Sequence, residues 1–335
     1  MKYLILFSAI IASLFISSCN SDDDNSMPID PSGERYFEKV FEVEVTSDIK
    51  FGQAPQPTIM NSNNIQELYM DVYQPKDDTL SERPLIILAF GGAFLFGNRE
   101  SPDIVTLCNE FAARGYVCAA IDYRLSDNLI LQNGVSLATQ YEAILKATHD
   151  MRASIRYFHK DAAITNEFKI DTSKIYIGGV SAGAITALHI AHFDQLNEVP
   201  AEMQSVFDAT GGFSGNSGNA GYPEDIAGVI NLCGALLDVD FIDSSVTTPI
   251  VSMHGTDDGI VPYGSDTVTL LNSNLPLDGS SVIHQKLDEY SITNDFYTWE
   301  GAGHTPFVLG PSDETEVYMD STITFVRDFL YEIVQ

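Results

Sequence analysis

The sequence predicts an α/β fold: a mostly parallel central sheet covered by helices on both faces. Three observations predict it. Short aliphatic, β-branched and aromatic runs alternate with helix-rich stretches along most of the 335 residues. Most of those runs are unbroken, as expected of strands buried on both faces. Residues suited to one reaction stand just past the ends of four of them, where a parallel sheet gathers its ligand-binding loops.

Residues 37–45 and 68–73 alternate apolar and polar side chains and read as half-exposed antiparallel strands. Residues 85–90, 117–122, 174–177, 226–232, 249–254 and 296–299 read as buried strands. Helices are expected over 103–114, 139–160, 182–195, 282–290 and near 315–331. Residues 126–136 and the Gly-, Ser- and Asn-rich 210–223 are candidate rims or lids. Neither is long enough for a large cap domain.

Gly179-Val180-Ser181-Ala182-Gly183 lies between a strand and a helix. A sharp turn there lifts the serine hydroxyl above the sheet, and the Ala182 N–H starts the helix, aimed at an oxyanion beside Ser181. Upstream, residues 85–90 end in Gly91-Gly92-Ala93, where small residues let backbone N–H groups approach a tetrahedral oxyanion. Phe94 and Phe96 follow and are candidates to line an acyl pocket. Downstream, His254-Gly255-Thr256-Asp257-Asp258 opens a loop closed by Pro262. One of the two aspartates is placed to orient an imidazole; the residues alone leave both open. Gly301-Ala302-Gly303-His304 then presents one histidine, the side chain suited to taking a serine proton near neutral pH.

These segments resemble those of the α/β-hydrolase family, in its carboxylesterase and lipase branches. Gly179-Val180-Ser181-Ala182-Gly183 matches the nucleophile elbow. Phe90-Gly91-Gly92-Ala93 resembles the His-Gly-Gly-Gly oxyanion loop, with Phe for His and Ala for the last Gly. Asp122-Tyr123-Arg124-Leu125 looks like the matching segment of hormone-sensitive-lipase-like esterases, although Ser126-Asp127-Asn128 stands where Ala-Pro-Glu often follows. His254-Gly255, Asp258 and Val261-Pro262 are similar to the acid loop of dienelactone-hydrolase and depolymerase-like members, and Gly301-Ala302-Gly303-His304 to their histidine loop. The resemblance runs from about residue 65 to the end of the sequence given. It implies an α/β-hydrolase fold and a Ser181–His304–Asp258 triad, with Asp258 rather than Asp257 as the acid. Gly92, Ala93 and Ala182 form the implied oxyanion hole, and no metal or other cofactor is needed. The expected activity is a serine carboxylic-ester hydrolase acting on small-molecule or polymer-linked esters. A peptidase or polyester depolymerase of the same fold is the alternative, and a non-enzymatic binding protein a more distant one.

The first residues read as a processing signal. Lys2 precedes an apolar stretch over 4–15, too short for a comfortable membrane span. Ile16-Ser17-Ser18-Cys19 resembles a bacterial lipobox, which implies lipidation of Cys19. The expected organisation is therefore a signal peptide over 1–18, a lipidated, flexible, acidic linker over 19–36 and one catalytic domain over 37–335. The expected location is the outer membrane, through the lipid anchor. The acidic run after Cys19 resembles a cell-surface export signal.

A formal charge of −30 argues against nucleic acid, whose phosphates it would repel. Three cysteines remain beyond Cys19. A Cys108–Cys118 bridge is geometrically possible, but buried thiols are the favoured reading. The His189-x-x-His192 pair has metal-ligand spacing without a carboxylate partner and reads as structural. His254 is expected to support the acid loop, and Arg124 to be a buried charge partner.

Overall fold

Aliphatic runs too apolar to face water on either side build the centre of the sheet. In the computed structural model β3 (Arg83–Ala89), β4 (Val117–Ile121) and β6 (Gly228–Leu232) are buried along their whole length. With β5 (Ile170–Val180), β8 (Ile250–Gly255) and β11 (Asn294–Trp299) they pair in parallel. β1 (Val43–Pro55) and β2 (Ile65–Pro75) extend the sheet antiparallel at the β4 edge. The eight-stranded order is β1-β2-β4-β3-β5-β6-β8-β11. The structure describes residues 34–57, 61–126, 136–270, 273–308 and 313–335. They belong to one compact unit, Glu34–Gln335. The expected signal peptide, Cys19 and most of the expected linker fall outside the described residues, as does most of the 126–136 connection.

Helices α1 (Pro102–Ala112) and α6 (Asp313–Val334) pack together on one face, and α2 (Leu137–Ile164) and α3 (Ala182–His192) on the other. Pro102 opens α1, where its missing N–H costs nothing. Ser136 caps α2 by accepting from the Thr139 N–H. A short helix, α4 (Gln204–Thr210), and α5 (Ser280–Glu289) complete the set named here.

The first strand differs from expectation. Residues 37–42 do not pair; the N–H groups of Val40 and Phe41 instead donate to Ala113 O at the end of α1. The strand runs over 43–55, and register shifts between Thr46 and Ile49 and between Lys50 and Gly52 break its side-chain alternation. A second sheet, β7-β10-β9, has no counterpart in the expected elements. It is made of β7 (Ala235–Leu236), β9 (Ser265–Leu270) and β10 (Ser273–Gly279). Pro276 within β10 argues against a strand, but it pairs with Thr267 of β9 where β7 does not reach.

Of the two candidate lids, 210–223 is tied down rather than free. Arg156 donates to Ser214 O and Gly218 O, His149 bonds Gly212 O, and Ser217 donates to Asp150. Polar side chains of α2 thus satisfy the backbone of this glycine-rich stretch. Cys108, Cys118 and Cys233 are buried free thiols.

Candidate active site

The turn from β5 into α3 is strained by design of its sequence. Ser181 has φ 55°, ψ −113°, a conformation that costs a non-glycine residue about 1–3 kcal/mol. Its N–H donates to Leu232 O at 2.8 Å, which ties the turn to β6. A Cβ on Gly179 would lie 2.3 Å from Ala89 O, and one on Gly183 2.1 Å from the same oxygen. Only glycine at both positions lets the elbow close against β3.

His304 Nε2 is 2.9 Å from Ser181 Oγ, and His304 Nδ1 is 2.6 Å from Asp258 Oδ2. The loops that carry Asp258 and His304 are knitted together. Asp257 N–H donates to Ala302 O and Gly301 N–H to Thr256 Oγ1. A Cβ on Gly255 would sit 2.3 Å from Ala302 O, so this approach also requires glycine. Asp258 Oδ1 accepts from the N–H groups of Ile260 and Val261, both at 2.9 Å. Its Oδ2 is also 3.1 Å from His254 Nε2. Burial pushes the Asp258 carboxyl up, but the hydrogen bonds from His254 and His304, the His304 charge and the Ile260 N–H outweigh it and hold the group well below the usual carboxylate range. Asp257 beside it is exposed and does not reach the histidine.

The backbone bends sharply after β3. Gly92, Ala93 and Phe94 all have positive φ, at 124°, 53° and 60°. A side chain on Gly92 would lie 2.0 Å from Phe96 O. Among the described residues, the N–H groups of Gly92, Ala93 and Ala182 donate to no backbone carbonyl. Those of Ala93 and Ala182 belong to residues that share a pocket with Ser181.

Residues 70–214 match the BD-FAE family model. That stretch holds Gly92, Ala93 and Ser181 and stops short of Asp258 and His304. The propionate-bound esterase Est2 of the Planctomycetes species Thermogutta terrifontis is 21% identical, with a TM-score of 0.58 over 89% of this chain and 97% of that one. Its native form gives 22% and 0.57 over 89% and 95%. The form phosphoramylated by tabun gives 20% and 0.56 over 89% and 97%. No curated protein matches the chain. The chain has the α/β-hydrolase fold.

Within this fold the Asp122-Tyr123-Arg124-Leu125 segment packs behind the loop that follows β3. Tyr123 stacks on Phe90 at 4.3 Å and donates to Phe90 O. Asp122 pairs with Arg99, and Arg124 with Asp150 at 2.9 Å, both of the latter buried. Arg124 is thus the charge partner the sequence suggested. His189 accepts from Leu237 N–H through Nε2 and donates to Ile185 O through Nδ1, while His192 is fully buried. Among the described residues no cluster could hold a metal ion.

A pocket that opens to solvent begins at Ser181, Ala93 and Ala182. Phe94 lines it, packed edge-on to Tyr123. Phe96, the other candidate for an acyl pocket, is not among its lining residues and is 66% exposed. The consecutive positive φ values at Ala93 and Phe94 reverse the chain, so Phe94 turns inward and Phe96 outward. Sequence reasoning missed most of the wall, which comes from α2, α3 and the β9–β10 hairpin. Only an expected β9–β10 pairing would have signalled the hairpin's part.

Proposed function

We propose that the protein is a serine carboxylic-ester hydrolase that works through an acyl-enzyme. The observation that carries this reading is the hydrogen-bonded line Ser181 Oγ–His304–Asp258 beside N–H groups that, among the described residues, donate to no backbone carbonyl. With its Nδ1–H given to Asp258, His304 offers the Nε2 lone pair to the Ser181 hydroxyl. Ser181 Oγ bonds to the ester carbonyl carbon as its proton passes to Nε2. The negative charge that moves onto the carbonyl oxygen meets the N–H groups of Ala182, Ala93 and Gly92, each supplying about 3 kcal/mol. Collapse breaks the bond to the alcohol oxygen, which leaves with the proton from His304. Water, deprotonated by the same imidazole, then releases the acid and frees Ser181.

The substrates of this reading are short- to medium-chain or carbohydrate-linked esters met outside the cytoplasm. Ile16-Ser17-Ser18-Cys19 supports anchoring of the enzyme to the outer membrane through lipid on Cys19. A fluorophosphonate probe tests the chemistry directly. Mass spectrometry is expected to find the adduct on Ser181, and Ser181→Ala to abolish both labelling and p-nitrophenyl ester turnover. Turnover that survives in folded Ser181→Ala protein overturns the reading.

A further inference from the structure

Three features of the pocket beside Ser181 say more about the substrate, if Ser181 is the nucleophile proposed above. The first is its position. Ser181, Ala93 and Ala182 line it, and His304 does not. The leaving alcohol must lie against His304 Nε2, which protonates it, while the carbonyl oxygen points to the Ala93 and Ala182 N–H groups. A pocket on the oxyanion side that leaves out His304 therefore takes the acyl group. The alcohol falls on the side of His304, whose side chain is 18% exposed.

The second is the wall. β9 and β10 pair with Val268 opposite Leu275, and Leu277 stands two residues on, on the same face of its strand. All three line the pocket, and Leu275 and Leu277 are buried although they stand on a hairpin. Ile144 from α2 and Ile185 from α3 also face it. An acetyl group would leave this surface wet, whereas each methylene added along it is removed from water.

The third is a charged border. Ser126, Thr139 and Ala143 also border an adjoining pocket lined by Arg124, Glu142 and Lys146. Glu142 and Lys146 pair at 2.6 Å there. A chain long enough to enter that pocket would strip water from charged groups and give them nothing in return.

We infer that the β9–β10 hairpin is the chain-length ruler of this enzyme, selecting linear apolar acyl groups of roughly four to eight carbons over acetyl and over long fatty acyl groups. Each methylene buried against the hairpin multiplies kcat/KM by about fourfold until the chain meets the charged border.

The test measures kcat/KM for p-nitrophenyl acetate, butyrate, hexanoate, octanoate and palmitate, with fluorophosphonate labelling of Ser181 in parallel. Hexanoate is expected to exceed acetate by at least about tenfold, with palmitate falling back. Val268 is only half-buried, so Val268→Asp puts a charge on the wall with little risk to folding. It is expected to cut the hexanoate-to-acetate ratio about tenfold while Ser181 still labels. Leu275→Ala is expected to move the optimum to longer chains. Labelling with acetate preferred, or a ratio unmoved by both substitutions, overturns the ruler alone. Failure of Ser181 to label and of every ester to turn over overturns the esterase reading and the ruler with it.

Discussion

His254 and His304 meet on one oxygen of one carboxylate, Asp258 Oδ2, at 3.1 and 2.6 Å. The His254 ring is fully buried, and its Nδ1 is 2.8 Å from Ser280 Oγ. Asn231 Nδ2 donates to Ser280 Oγ and to Ser252 Oγ, while Asn231 Oδ1 accepts from Gly234 N–H. Asp258 Oδ2 and Val261 O both face His254 Nε2 and can only accept, so the ring proton sits on Nε2 and Nδ1 accepts from the Ser280 hydroxyl. His254 then gives its Nε2 proton to Asp258 and shares it with Val261 O, also at 3.1 Å. A chain of buried polar groups thus ends on the acid of the proposed triad.

His254→Phe removes one donor from Asp258 and is expected to lower kcat about tenfold. His254→Gln, which retains a donor, restores part of the loss. Equal losses of kcat in the two variants would mean that His254 only packs.

The two neighbouring aspartates separate cleanly in space, and so should their variants. Asp258→Asn is expected to lower kcat by about 10³–10⁴-fold, because an amide stabilises the wrong His304 tautomer. Asp257→Asn, altering an exposed side chain, is expected to stay within about twofold. Steady-state rates for the purified variants decide between them.

Gly183→Ala adds one methyl carbon 2.1 Å from Ala89 O and 2.9 Å from Phe90 O, both rigid backbone atoms. Strand β3 or the elbow has to move. A loss of about 3 kcal/mol or more in urea unfolding is expected, with turnover lost as well. Wild-type stability would show that the elbow has room to spare.

Four histidines are held neutral by burial. Burial pushes His149 down to about 3 and His189, His192 and His284 down to about 4. Below the ordinary histidine value of about 6.5 the unfolded chain takes up these protons and the folded chain does not. Stability from these groups is therefore full above about pH 6.5, falls as pH drops towards 4, and levels off below the folded values. The depressed Asp258 carboxyl acts only lower, below the usual carboxylate range. His192 makes no hydrogen bond among the described residues. His192→Leu is expected to flatten the acid-side loss by about 1 kcal/mol per pH unit, read from urea midpoints between pH 6.5 and 4. An unchanged slope would show that His192 does not stay neutral in the folded state.

Cys19→Ser, expressed in a Gram-negative host, is expected to release the protein from the membrane fraction or stall its processing. Mass spectrometry of the wild-type N-terminus checks the lipid. An unmodified N-terminus elsewhere, on protein free in the periplasm, would replace anchoring with plain secretion.

The parallel strands, the helices between them and the elbow at Ser181 were legible because each is written in adjacent residues. Unbroken aliphatic runs can only be buried, and glycines flank a serine where backbones crowd. The order of the serine, acid and histidine loops along the chain followed from the same local marks. The tertiary structure decided what depends on direction and on distant partners. Asp258 rather than Asp257 meets His304 because two loops, joined through Gly255 and Ala302, set which way each side chain points. Phe94 faces the pocket and Phe96 the solvent because of a backbone reversal that no periodicity records. The β9–β10 hairpin carries a proline and only a few apolar residues. It becomes a wall because α2, α3 and the elbow supply the other sides of the pocket it closes.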